Sequence, residues 1–162
     1  MRSMKLLVLT IFVFHTLFDY GQTFTFQQSI LSSTDDAEEK FDGSYVTTSS
    51  SDLEMMYDSW NSQGIQTVGL RFDNITIPAN ATITNAYIQF TADGSSSGNV
   101  AITIMGEDIA YSSTFSNSSN NITSRNTTSS NIIWNPSSSW IDNASGLGQR
   151  TTDLSTIVSE VI

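Results

Sequence analysis

The chain predicts an all-β fold, an antiparallel jelly-roll-like sandwich that carries one short C-terminal helix. Three observations lead there. Apolar residues alternate with period two in several short runs, turn residues separate those runs, and helical spacing occurs only in the last dozen residues. Alternation is what a half-buried strand demands, because successive side chains point to opposite faces of the sheet. At 162 residues the chain is long enough for one domain with its own core and too short for two of ordinary size.

In chain order, the first segment differs from the rest. Arg2 and Lys5 precede Leu6 to Phe18, thirteen residues with almost no polar character. A basic start followed by a short apolar run is the pattern of a secretory signal peptide, and the run falls short of the roughly 20 residues of a membrane-spanning helix. Residues 1–21 are therefore expected to be removed near Gly21 or Gln22, leaving 22–162 as one β-sandwich module with no membrane segment; the alternative for this run is a buried N-terminal strand or helix. FTFQQSI, GSYVTT and DLEMMYD are candidate strands, each bounded by polar turn residues. In TVGLRF, Val68, Leu70 and Phe72 share one face, with Gly69 and Arg71 on the other. Pro78, in ITIPANATITNAYIQF, has no amide hydrogen to give a ladder, so it ends the pairing and Ile83 begins a return strand. A connection of this kind suits two strands in opposite sheets better than a tight hairpin, which would want Asn-Gly or its equivalents.

After the return strand, whose Ile88, Phe90 and Ala92 share a face, ADGSSSG reads as a turn, and Val100, Ile102 and Ile104 mark the next strand. Ser112 to Ser130 is low in complexity and has little to bury, so it reads as a long surface excursion containing at most a short turn. In the final TTDLSTIVSEVI, Leu154, Ile157, Val158, Val161 and Ile162 recur at helical spacing, with Asp153 where an N-cap belongs.

Composition excludes several function classes. Six basic residues less Arg2 and Lys5 leave Lys40, Arg71, Arg125 and Arg150; sixteen acids less Asp19 leave fifteen. That balance repels phosphate backbones and anionic membrane surfaces, so nucleic acid is not an expected partner. The one histidine, His15, lies in the segment expected to be removed, and there is no cysteine. No Ser-His or Cys-His nucleophile and no His/Cys zinc site can be built. The chain does not read as an enzyme; catalysis would have to rest on carboxylates.

The spacing of LRFDNITIPANATITNAYIQFTA resembles that of DNRLRE-type β-sandwich modules, which are related to family 96 carbohydrate-binding modules. NIIWNPSSSW is similar to their later W-N-x-x-P turn, with Pro136 earlier than in that pattern, and SSTDDAEE followed by TSSSDLEMMYD looks like their opening. The likeness covers roughly Ser32 to Ile162. It implies a jelly-roll-like sandwich attached to secreted polysaccharide-degrading enzymes or cell-surface proteins, with calcium as a structural ion in many members. Members continue past the helical D-L-S-x-I-V segment with further strands, so the likeness implies an incomplete sandwich at Ile162 and a longer parent protein.

Two groups of residues could carry chemistry. The cluster Asp35, Asp36, Glu38, Glu39 and Asp42 could gather oxygen ligands around calcium, or stand as a solvated acidic loop; it lacks EF-hand spacing. Trp60, Trp134 and Trp140 sit in loop-like surroundings beside Asn, Asp or Gln, where an indole face could stack on a sugar ring. Trp134 follows Ile132 and Ile133 and reads more as core. Tyr57 and Tyr111 are further candidates. Arg71 reads as a partner of a neighbouring acid across the sheet. The N-x-S/T matches at Asn74, Asn80, Asn117, Asn121, Asn126 and Asn143 are what so Ser-, Thr- and Asn-rich a chain produces by chance. The function expected is a secreted, non-catalytic accessory module that binds polysaccharide. The alternative is a structural or adhesive surface module without a glycan site.

Overall fold

The computed structural model describes residues 4–15, 22–59 and 62–162, with 4–15 and 22 as backbone. The fold is all-β and antiparallel, with one short helix at the C-terminus. One sheet has the order β2-β1-β7, formed by β1 (Met4–His15), β2 (Gln22–Ser29) and β7 (Thr82–Ala92). A second has the order β4-β3-β6-β5, formed by β3 (Asp36–Lys40), β4 (Val46–Thr47), β5 (Tyr57–Asp58) and β6 (Gly64–Leu70). Two pairs complete the sandwich. One joins β9 (Ile102–Glu107) to β10 (Thr127–Trp134), the other β8 (Ser96–Ser97) to β11 (Ser139–Trp140).

β7 is the spine. Its alternation buries Ile83, Ala86, Ile88, Phe90 and Ala92 on one face. One edge pairs with β1; the other is covered by the segment that leads into the helix. Thr151 and Leu154 donate their amides to the carbonyls of Ile88 and Ala86 at 3.0 and 2.7 Å, and Ala92 exchanges bonds with Asn143 and Ala144. Where the backbone offers no carbonyl, side chains serve. Thr151 Oγ1 accepts from the Ile88 amide and Asp153 Oδ1 from the Ala86 amide, each at 3.0 Å. A central strand tolerates a non-strand neighbour only if its amides find acceptors, and these two side chains supply them.

The proline-stopped connection behaves as its residues require. β6 ends at Leu70, the chain continues without a ladder to Pro78, and the Ala81 amide closes a turn on the Pro78 carbonyl at 3.1 Å. Asn80 supplies the left-handed conformation there, φ +66°. β6 and β7 thus lie in different sheets. Ile75 and Ile77 pack on the main core along the way.

That core joins β7 to β10 and to the helix. The Trp134 ring stacks on Phe90, with centroids 5.3 Å apart and planes 9° from parallel, and Trp140 tilts against Trp134 at 6.4 Å. The helix α1 (Ser155–Val161) closes this core with Leu154 and Ile157 buried, while Ile162 stays exposed. It starts one turn position later than the Asp153 N-cap implies: Leu154 holds the cap position, and Asp153 instead accepts from the amide and hydroxyl of Ser155 at 2.9 and 2.8 Å. Gly106 on β9 allows the helix to lie close, since a Cβ there would stand 2.9 Å from Ile157 Cγ2.

A second, small core lies under the four-stranded sheet. Ala37, Val46 and Phe115 are buried together with Ile122 against them. Phe115 and Ile122 come from the segment expected to be a loose excursion. Its last residues form the start of β10 and its middle makes a turn. Two polar anchors explain the order. The wholly buried Glu39 carboxylate accepts from the Ile122 amide at 2.6 Å and from the amide and hydroxyl of Thr123. Arg125 bonds the carbonyls of Asn121 and Ser113 and the Glu107 carboxylate, with its guanidinium 4.3 Å from the Phe115 ring centroid.

Candidate functional site

The predicted site residues separate into different parts of the fold. Trp134 and Trp140 are 2% and 1% exposed, their indole faces covered by the core. Trp60 lies outside the described residues. Tyr57 stands on the surface, on β5. Tyr111 is exposed and stands apart from any strand.

The five acidic residues do not converge. Asp36 to Lys40 is a strand, so its side chains alternate between faces, and most of the carboxylates already have separate partners. Asp35 holds Arg71 at 2.5 Å, and Arg71 also reaches Asp73 at 3.0 Å and the Ser112 carbonyl at 2.8 Å. This is the cross-sheet acid expected for Arg71. Glu39 anchors the 122–123 amides. Asp42 accepts from the Ser44 amide and hydroxyl and faces Lys40 at 3.3 Å, and these contacts hold its carboxyl down at about 2. Among the described residues no group of three or more His, Cys, Asp or Glu is placed to hold a metal ion. The carboxylates of Asp35, Glu39 and Asp42 are thus each spent on a separate contact.

Two surface features of the four-stranded sheet remain. On one face, Tyr57 and Ile65 are directly opposite across β5 and β6. Phe41, the residue after β3, continues the register, its amide donating to the Ile65 carbonyl at 2.9 Å. The three make one row across three chains, with Phe41 73%, Tyr57 55% and Ile65 52% exposed. The 112–125 segment covers the rest of this face, over Ala37 and Gly69, and leaves the row open. Two interstrand spacings put the outer rings roughly 10 Å apart. Met56, next to Tyr57, holds φ +82°, a conformation a side chain of its kind rarely adopts, and its carbonyl accepts from the Gln66 amide at 3.2 Å. Strain of this sort persists where a loop's geometry matters to something other than stability.

The other face carries a polar groove of about 270 Å³ lined by Glu38, Tyr45, Thr47, Ser49, Asp58 and Gln63, among others. Glu38 is buried at its base and accepts from the Glu54 amide at 2.5 Å. Burial pushes the Glu38 carboxyl up against the opposing pull of that amide. Glu54 is pushed up to about 8, first by burial and then by the charges of Glu38, Asp52 and Asp58. Like charges so close cannot all ionise, so Glu54 keeps a proton at neutral pH and offers it to Glu38. The groove presents hydroxyls, an amide and carboxyl groups, donors and acceptors of the kind that sugar hydroxyls pair with.

Sequence reasoning missed Phe41, Ile65 and Tyr45 because each stands next to a turn or on a short strand, where no alternation identifies a face. No family model, curated protein or solved structure matches the chain.

Proposed function

We propose that this protein is a secreted, non-catalytic β-sandwich module that binds polysaccharide, with Phe41, Ile65 and Tyr57 as the stacking surface. The observation that carries this reading is the row of exposed apolar side chains, two of them aromatic, on one sheet face. A pyranose ring has an apolar face of C–H groups and a polar rim. Two aromatic rings set two strand spacings apart suit every second ring of an extended chain, with Ile65 under the ring between them. The resemblance to DNRLRE-type modules supports the same class, and with it attachment to a larger secreted or cell-surface protein.

Two features weigh against catalysis. The described residues include no histidine or cysteine outside β1, and the Glu38–Glu54 carboxyls are hydrogen-bonded to each other. A glycosidase pair stands about 5 Å or more apart so that the anomeric carbon can enter between the groups. Burial of Trp134 and Trp140 favours the second reading, a structural or adhesive module with no glycan site, since the largest aromatic surfaces are committed to the core.

Pull-down and titration calorimetry of residues 22–162 against a panel of insoluble and soluble polysaccharides separates the two. Binding to one glycan class, lost at least tenfold in Tyr57→Ala and Phe41→Ala with an unchanged melting temperature, is the expected result. Binding that survives both substitutions moves the site elsewhere, and no binding to any glycan favours the structural module.

A further inference from the structure

Among the described residues β2 pairs with β1 alone, and β1 lies in the segment read as a leader. This inference rests on that reading. Removal at Gly21 or Gln22 takes away the strand between β2 and β7 and makes β2 the new N-terminus. The β7 edge that opens is long: its backbone is in register with β1 from Thr82 to Ala92. It also borders the main core, since Ile83, Ala86, Ile88, Phe90 and Ala92 belong to that strand. An unpaired edge of that length, beside apolar side chains, is a template for another strand.

The geometry specifies the replacement. β1 is antiparallel to both neighbours, so β2 and β7 run parallel to each other. The slot needs a strand antiparallel to both, and a chain's own β2 cannot supply that without reversing. The β2 of a second copy, related by a two-fold axis, does so directly. We propose that the mature protein forms a strand-exchanged dimer in which each β2 occupies the partner's vacated slot, giving the continuous order β7, β2 of the partner, β2, β7 of the partner. The segment has the composition for it. Thr23, Phe24, Thr25 and Phe26 alternate, Phe26 already packs on the main core, and Phe24 is half exposed. A two-fold arrangement uses the same segment twice, so each chain fills its partner's slot with the strand that its own slot lacks.

The test uses the chain secreted with its own leader. Intact mass first establishes cleavage; a retained leader would sink the reading beneath this proposal, and the exchange with it. For the cleaved protein, light scattering after size exclusion is expected to give twice the monomer mass, and Thr25→Pro, which removes a ladder donor from β2, to give the monomer. The chain has no native cysteine, so a mixture of Gln89→Cys protein with Thr23→Cys, Thr25→Cys or Gln27→Cys protein reads the contact directly. A disulfide between the two populations in at least one pairing is expected. A cooperatively melting monomer, a dimer untouched by Thr25→Pro, or no cross-link in any pairing would overturn the exchange.

Discussion

Gly69 and Glu54 show how single residues set the balance of this fold. Gly69 lies opposite Ala37 in the ladder, and the Phe115 ring sits directly over it: a Cβ at Gly69 would meet the ring at 2.6 Å. Its φ is ordinary, so its role is space. Gly69→Val is expected to displace Phe115 and destabilise by about 1–3 kcal/mol, the usual range for overpacking, read by urea denaturation. Glu54 acts through its proton. Its folded-state value of about 8 lies above the ordinary 4.5, so what it contributes to stability is fullest below about 4.5 and is lost as pH rises through 8. Glu54→Gln is expected to keep the hydrogen bond to Glu38 and flatten the decline. Melting temperatures from pH 5 to pH 9 that fall equally in wild type and variant would place the pH dependence elsewhere.

At the scale of elements, two pieces are held by carboxylates rather than by ladders. The helix α1 is tied to β7 by Asp153 and to β10 by Glu160, whose carboxylate accepts from the Ser129 and Ser130 amides at 2.5 and 2.9 Å. Burial would raise the Asp153 carboxyl, but the Ala86 and Ser155 amides bring it below its ordinary value. Bonds from Ser130 and Ser129 hold Glu160 at about 2. Both therefore stabilise above the ordinary carboxylate range and lose their effect as pH falls through their lowered values. The helix is expected to loosen first in acid, with lower protection of the Ala86 and Leu154 amides, each exchange rate taken relative to the unstructured rate at the same pH, at pH 2 than at pH 6. Asp153→Ala is expected to cost about 1 kcal/mol at neutral pH, as for a lost helix-terminal acceptor. The 112–125 segment depends likewise on Glu39. Glu39→Ala takes the acceptor from the part-buried Ile122 and Thr123 amides, an expected cost of about 1 kcal/mol, and frees the chain around Arg125. Trypsin should then cut at Arg125 well before the rest of the domain; equal resistance in both proteins would show that Phe115 and Arg125 suffice.

For the molecule as a whole, the two sheets do different jobs. The sheet containing β7 and the β9–β10 pair hold the large core; the β4-β3-β6-β5 sheet carries the exposed row on one face and the polar groove on the other. The four basic residues of 22–162 are all engaged. Arg150 lies 4.2 Å over the Tyr87 ring, and Arg71, Arg125 and Lys40 pair with acids, so none forms a free cationic patch.

Much of this was written in short-range pattern. Alternation in residues 82–92 and 102–104, the stop at Pro78 and the helical spacing after Asp153 are local consequences of backbone geometry, legible wherever they occur. So was the lack of cysteine, which is a matter of inventory. Partnership was not legible. The acidic run 35–42 reads as one site in sequence, yet a strand sends neighbouring carboxylates to opposite faces, where Arg71, the 122–123 amides and Glu54 take them separately. The 112–130 segment reads as unburied because its anchors, Glu39 and Gly69, lie more than forty residues away. Trp134 and Trp140 become core, and Phe41, Ile65 and Tyr57 become surface, only once the sheets have stacked. Composition and period thus determined the class of fold; burial, a property of distant chain segments meeting, decided which side chains were left exposed on its surface.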